Sequence, residues 1–520
     1  MKYKRPLILL LVLSLMLSLF TACGSKDEEN SDDDSSNTSK IYNKDGLFSL
    51  GYNPEYGLNP YSVTDTNNLM VSSLMYDTVF ELDDTFNVSS RIIEDYSTED
   101  GLWWVFTVDT TIPCHDGSTL TAYDVAYSLQ KAMSSTMYSS RLSCIYGVSS
   151  IDDKTFAISL NYVNTQLPKL LTVPVIKDGS ISDDIPCGTG PYVISSAADA
   201  LVVFEDYYAA NMLPIDTIYL KTFKDRSDMI SKFEASDIDL IVNEPLSTSP
   251  IECKSSYSSF YYNMSNLHFL GFNASSPFFS YTEHRKVMNY AIDRDFLVSD
   301  IFDSCALVTT LPVHPASDYY NKELADSLTY DASKVKSSLK DANIQDYDND
   351  DALEYMSNGS VTEIDLNFIV CNSNSKKVYA ARQIAENLNE LGITVTLNEL
   401  SWNDYLAALE EGNYDMYYGE IKLNPDFNLS SLLGVDGSSN YFHNDSSSYS
   451  SYISNYLSAA EEDRALQADL MYQYIADNAI IVPICFNFGE IIASAGVISD
   501  LSSTQYDAFH NIENWTVTLK

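Results

Sequence analysis

The chain has 520 residues, 45% of them hydrophobic, and carries 73 acidic against 30 basic side chains for a formal charge of −43. That length exceeds one compact core, so two or three domains are expected. The charge excludes a nucleic-acid partner, because phosphate backbones are bound by Lys and Arg that displace counterions, and it fits a self-repelling, solvated surface.

Lys2, Lys4 and Arg5 precede an apolar run, Leu7–Phe20, which is shorter than the roughly 20 residues that span a bilayer. Phe20-Thr21-Ala22-Cys23 then sets small residues just before a cysteine. Residues 1–22 read as an export leader cleaved before Cys23, the expected site of lipidation. Two acyl chains hold a protein firmly, at ~0.8 kcal/mol per buried methylene. Residues 23–44 are Ser/Asp/Asn-rich and read as a disordered acidic tether. Its Asp32-Asp33-Asp34 run is read as solvated spacer rather than as a calcium site. Cys114, Cys144, Cys187, Cys253, Cys305, Cys371 and Cys485 are odd in number and show no CxxC spacing. Few or no disulfides, and no zinc or redox centre, are therefore expected.

Leu47–Tyr52 reads as a strand, followed by the Asn/Pro-rich turn 53–60, and Leu69–Phe80 has helical spacing. Gly101–Val108 reads as a strand and Asp116-Gly117 as a turn. Thr121 with Asp124 forms a capping box, opening a helix that buries Val125, Leu129 and Met133. His115 has no second histidine near it in sequence, so a turn-stabilising hydrogen bond is expected rather than metal ligation. Ile185–Ile194, IPCGTGPYVI, lacks the Gly-Lys-Ser/Thr ending of a phosphate loop. Residues 195–265 alternate strand and helix.

His268–Phe272 is a short apolar strand; after a break at Asn273–Pro277 comes a helix with Val287, Met288, Ala291 and Ile292 on one face. Asp293 is placed to end it and cap the next. Asp331–Ala342 reads as a helix and 343–360 as an exposed acidic loop. Glu363–Val370 is a strand, Val378–Leu391 a helix stopped by Gly392, Ile393–Leu397 a strand and Trp402–Glu411 a helix ending at Gly412. Tyr414, Met416 and Tyr418 alternate again. This strand–helix–strand order argues a doubly wound α/β lobe. Glu461–Ala479 is a helix and Ile480–Phe488 a returning strand.

Three blocks resemble the family 5 extracellular solute-binding proteins, the peptide- and nickel-binding group of bacterial transporters. They are Phe272-Asn273, Pro277, Arg285 and Asn289–Arg294; Cys114–Val125, CHDGSTLTAYDV; and Ile185–Tyr192. The resemblance covers most of residues 45–490. It implies an α/β, two-lobed periplasmic-binding-protein-like fold with an extra accessory domain and two hinge crossovers. The implied division is lobe I at 45–66, its accessory domain at 67–184, lobe I again at 185–268, lobe II at 269–484, and a C-terminal return to lobe I at 485–520. Phe272, Asn273 and Pro483 are the expected hinge positions.

The same resemblance implies a binding subunit of an ABC importer, a monomer that works with permease and ATPase subunits on the outer face of the cytoplasmic membrane. Oligopeptides are the first cargo it suggests; nickel chelates, oligosaccharides and a signalling peptide are the alternatives. In peptide-binding members the strand after the helix matching Trp402–Glu411 offers its backbone to the ligand. Tyr418, Gly419, Glu420 and Ile421 occupy that place. Family members carry an aspartate four residues past the glycine for the ligand amine; Leu423 stands there, so Glu420 or Asp426 is the expected anchor, with Asn424 beside them. Tyr52, Asn53 and Trp402 complete the candidate contacts. There is no G-x-S-x-G elbow and no H-E-x-x-H helix, so neither an enzyme nor a resident metal or cofactor is expected.

Overall fold

The computed structural model describes residues 46–519; the leader, Cys23 and the tether lie outside the described residues. Two long strands dominate it, Tyr257–Phe272 and Ile481–Ser494, paired antiparallel from Tyr257 opposite Ser494 to Gly271 opposite Ile481. Their apolar runs (LHFLGF and IVPICFNFGEIIA) are buried on both faces, as a strand at the centre of a sheet requires.

The pairing breaks register between Asn263 and Leu267. On one side of the break the pair borders Leu240–Asn243, then Phe48–Tyr52, Thr217–Thr222, Ala200–Val203 and Tyr192–Ile194. On the other side it borders Met416–Lys422, Asp365–Cys371 and Thr394–Leu400, with Ala306–Val308 against the second long strand. One eleven-stranded sheet thus serves two lobes, and only the two long strands belong to both. The expected hinge residues lie beyond the break, inside the second lobe. Pro483 pairs opposite Phe269. Phe272 is fully buried, and Asn273 donates to the Gly412 and Tyr414 carbonyls at 3.0 Å each. The pairing of the two long strands is irregular over Met264-Ser265-Asn266, and such a break increases the local twist.

The first lobe carries a separate four-stranded sheet, Ile93–Thr98, Trp103–Val108, Thr155–Leu160 and Ile145–Ser150. The helix Ala122–Ala132 covers it, with Thr121 and Asp124 forming the predicted capping box. His115 bonds across to the glycine segment: its N–H meets the Gly188 carbonyl at 3.0 Å and its Nε2 lies 3.0 Å from the Gly190 carbonyl. Gly188 and Gly190 lie against the backbone of Met75 and Tyr76; a Cβ on Gly190 would sit 2.5 Å from Tyr76 N. That close approach, not phosphate binding, explains the glycines.

The helix expected over Leu69–Phe80 runs over Thr66–Ser73, capped by Asp65. Val79 and Phe80 leave it because their amides bond to Val173 and Leu171 at 2.9 and 3.1 Å. The acidic segment expected as a loop forms a three-stranded ribbon, Ile344–Gln345, Glu354–Ser357 and Ser360–Glu363. Asn358-Gly359, both at positive φ, close its hairpin, and Ile344 and Tyr355 anchor it in the second lobe's core. Asp293 caps the helix Arg294–Phe296 as expected. All seven described cysteines are free thiols. No helix among the described residues is long and apolar enough to cross a membrane.

Candidate ligand-binding site

A cavity of about 560 Å³ lies where the two lobes meet, within the range of small-ligand pockets. The first lobe contributes the helix Thr66–Ser73 with the segment after it, and the turn Met137–Arg141. The hinge contributes Tyr262 and Met264, the second lobe Lys422, Leu423 and Asn424, and the C-terminal return the segment from Thr504 to Glu513.

Its charges fall into two groups, with Glu244, which acts on Lys422, standing beside the second. The first gathers Asp77, Glu81, Asp507 and Glu513 around one guanidinium, Arg91. Arg91 is 3.2 Å from Glu81 and 3.2 Å from Glu513, and His510 stands 3.9 Å from Glu81. Burial pushes the Asp77 carboxyl up to about 7 against the pull of Arg91, and burial likewise raises Asp507 and Glu81. Four carboxylates thus share one arginine, a setting short of positive charge.

The second group is cationic. Arg141 donates from Nη2 to the Thr172 carbonyl at 2.7 Å and lies over the Tyr138 and Tyr506 rings at 5.6 and 5.3 Å. Its Nε is buried without a hydrogen-bond partner. Lys422 closes the strand Met416–Lys422 and faces the same cavity. Among the described residues no carboxylate lies within ion-pair distance of either; the ion pairs of this region belong to Arg91 and Lys377.

Of the residues picked from sequence, Asn424 lines this cavity. Glu420 turns into the protein: it ion-pairs with Lys377 and accepts from Asn266 at 2.8 Å and Asn487 at 3.3 Å, with His268 Nε2 at 3.7 Å. Since Asn266 and Asn487 sit on the two crossover strands, Glu420 ties the hinge together. Burial opposes its ionisation, yet its neighbours hold it down to about 2. Burial also drives His268 down to about 4, so at neutral pH the charge that holds Glu420 is that of Lys377.

Asp426 is fully buried and accepts from Asn164 at 3.0 Å and the Asn428 amide at 3.1 Å; it faces protein, not the cavity. Tyr418 spends its hydroxyl on His268 Nδ1 at 2.8 Å. Gly419 packs on Phe269, which a Cβ would approach to 2.5 Å, and Ile421 pairs opposite Leu267. Asn53 is locked to Asn68 by bonds of 2.8 and 2.7 Å. Tyr52 is half-buried against the first lobe's core. Trp402, 57% exposed, stacks on Tyr405 at the surface.

Sequence reading missed Arg141, Lys422, Arg91 and the acids of the C-terminal return. The available signal was scarcity: in a chain with 30 cations against 73 acids, a half-buried arginine without a carboxylate partner is informative. Asp346, Asp348, Asp350 and Glu354 also cluster, on the ribbon of the second lobe, within 4.8 Å of one another; none of them lines the cavity.

Two lobes on one sheet, joined by a pair of strands with a polar cavity at the joint, define a periplasmic-binding-protein-like fold. The chain belongs to the bacterial extracellular solute-binding proteins, family 5, whose middle region matches residues 87–442. The oligopeptide-binding protein AppA of Bacillus subtilis is 23% identical over 442 residues, 80% of each chain. Among solved structures, a nickel ABC transporter protein of Bacillus halodurans aligns with a TM-score of 0.73 at 16% identity, covering 89% of this chain and 98% of that one. HbpA2 of Haemophilus parasuis aligns with 0.73 at 18% identity, covering 91% and 99%. Family members are binding proteins of transport systems, and this chain is accordingly a substrate-binding protein of an ABC importer rather than an enzyme.

Proposed function

We propose that the chain captures short peptides, or compounds with a peptide's paired end charges, between its lobes and delivers them to an ABC permease and its ATPase. The observation that carries this is the segregation of charge in the cavity. A set of carboxylates with too few cations suits an ammonium group, and a pair of cations with no carboxylate at ion-pair distance suits an anion. The strand Met416–Lys422 adds to it. Its pairing with Asp365–Cys371 ends at Tyr417, so among the described residues no strand pairs with that edge from Tyr418 to Lys422. An extended backbone aligned there would run toward Lys422 and Asn424. AppA's printed name as an oligopeptide binder points the same way.

The test is calorimetric titration of the mature chain with a tripeptide mixture and with its N-acetylated counterpart. Tight binding of the free-amine mixture, weakened on acetylation and in Asp507→Asn, is expected. Equal binding of both mixtures would rule out the amine contact, and binding of neither would rule out peptide cargo. The chain also acts as a lipid-anchored monomer on the outer face of the cytoplasmic membrane, attached through Cys23. Cys23→Ala should then release it into the soluble fraction, and mass spectrometry should find the diacylglyceryl group on Cys23 of the wild type.

A further inference from the structure

Asp426 places a carboxyl with no cation of its own at the joint between the lobes. It belongs to the second lobe, is fully buried, and accepts a hydrogen bond across the joint from Asn164 Nδ2 of the first lobe at 3.0 Å. Among the described residues it makes no ion pair; the ion pair of this seam joins Arg464 to Glu461. We propose that Asp426 makes the joint acid-strengthened: its carboxyl holds a proton while the lobes are together and releases it when they part. For an extracellular solute-binding protein, the surrounding pH then sets how readily the lobes separate, whatever the cargo.

A carboxylate taken out of water and left without a cation loses hydration that a neutral amide does not restore, so burial favours its protonated form. Parting the lobes takes Asn164 away and returns the group to water, where it ionises as an ordinary aspartate. Lys169, on the first lobe's helix Leu167–Leu170, is the cation that acts on it and draws it toward ionisation, as do the bonds from Asn164 and the Asn428 amide. The Lys169 ammonium, however, lies over the Tyr319 ring at 5.2 Å, and burial holds it below the usual lysine range. The other groups facing Asp426 are Cys144 and Tyr162 of the accessory part, Tyr456 of the helix Ser447–Ser458, and Tyr506 of the C-terminal return. Burial pushes each of these four upward, so they are neutral where Asp426 titrates. Burial outweighs the pull of its partners and holds the Asp426 carboxyl above its ordinary 3.8. A value raised in the joined arrangement means that joining is favoured most below 3.8, and that the advantage is lost as pH rises through the raised value.

The joint has its own reporter. The Thr165 amide of the first lobe donates to the Leu457 carbonyl of the second at 2.8 Å, so its hydrogen exchange reads the parting of the lobes. Amides of the central strand Ile481–Ser494 report global unfolding alongside it. The mature full chain, Asp426→Asn and Lys169→Gln would be compared without ligand, each rate corrected for the intrinsic pH dependence of amide exchange.

From about pH 4 to pH 7, wild-type protection at Thr165 should fall by up to tenfold per pH unit and then level off. Asp426→Asn keeps an oxygen that accepts from Asn164 but cannot ionise, so its protection should lack this fall. The ratio of wild type to variant should therefore change by about threefold or more across the range. The contribution of His268 and Glu420 at the hinge is common to both chains and cancels in that ratio. In Lys169→Gln the opposing ammonium is gone, and the fall should shift to higher pH. A ratio that stays constant with pH would overturn the proposal. If Asp426→Asn does not fold, Lys169→Gln decides: a fall that remains at the wild-type pH overturns it as well.

Discussion

Asn164 donates from Nδ2 to Asp426 Oδ2 at 3.0 Å, joining the accessory part of the first lobe to the second lobe inside a fully buried contact. Thr165 continues the seam: its amide and hydroxyl bond the Leu457 and Ala459 carbonyls at 2.8 and 2.6 Å, and Arg464 donates to its hydroxyl at 3.0 Å. Together these bonds fasten the first lobe to the second in the arrangement described.

Asn164→Ala should therefore shift the lobes toward opening. It strips a partner from a buried carboxyl, a loss of ~1–3 kcal/mol, and ligand affinity should fall on the order of tenfold. Small-angle scattering of the ligand-bound variant should show a larger radius of gyration than wild type at equal saturation, and an unchanged radius would show that the seam does not hold the lobes.

Phe86 supplies the apolar half of the same seam. It sits at φ 64° on the turn between Glu81–Leu82 and Val88–Ser89, and its ring packs on Phe427 at 5.1 Å and His314 at 5.2 Å in the second lobe. Phe86→Ala should cost about 3 kcal/mol of the closed form, the low end for burying and then deleting a phenyl ring. Phe86→Gly loses the same ring but relieves the left-handed backbone, so it should be less damaging than alanine. Differential scanning calorimetry of the two variants checks the order.

The hinge cluster predicts a pH dependence. Burial lowers His268 from 6.5 to about 4, and Glu420, against its own burial, is lowered from 4.5 to about 2. Both folded values lie below the unfolded ones, so their contribution to stability is complete above pH 6.5. It declines from 6.5 to 4 as the unfolded chain takes up the His268 proton, and again from 4.5 to 2 through Glu420. The His268 part amounts to up to ~3 kcal/mol. Urea unfolding followed downward from neutral pH should show this slope, and His268→Gln should flatten the 6.5-to-4 segment.

Gly190→Ala should destabilise the first lobe by more than about 1–3 kcal/mol, because its Cβ would meet backbone atoms of Met75 and Tyr76, both at 2.5 Å, rather than a yielding side chain. The chemical-denaturation midpoint measures it.

What sequence alone determined here was local and periodic. The Thr121–Asp124 capping box, the Asp293 cap, the Gly392 and Gly412 helix stops and the family motifs each depend on residues a few positions apart, where chain geometry leaves little choice. It also pointed to the two-lobed class, through the motifs that resemble the family whose model matches residues 87–442. The site depended on contacts across hundreds of residues, and there the reading by position misled. Glu420 and Asp426 stand near the expected place along the strand, yet one is drawn to Lys377 and the crossover strands and the other to Asn164. Charges in a low-dielectric interior go to the nearest compensating group, and which group is nearest is a property of the packed lobes. Arg141 and Lys422 are the converse: 281 positions apart in sequence, they line one cavity only because two strands carry the chain out of the first lobe and back.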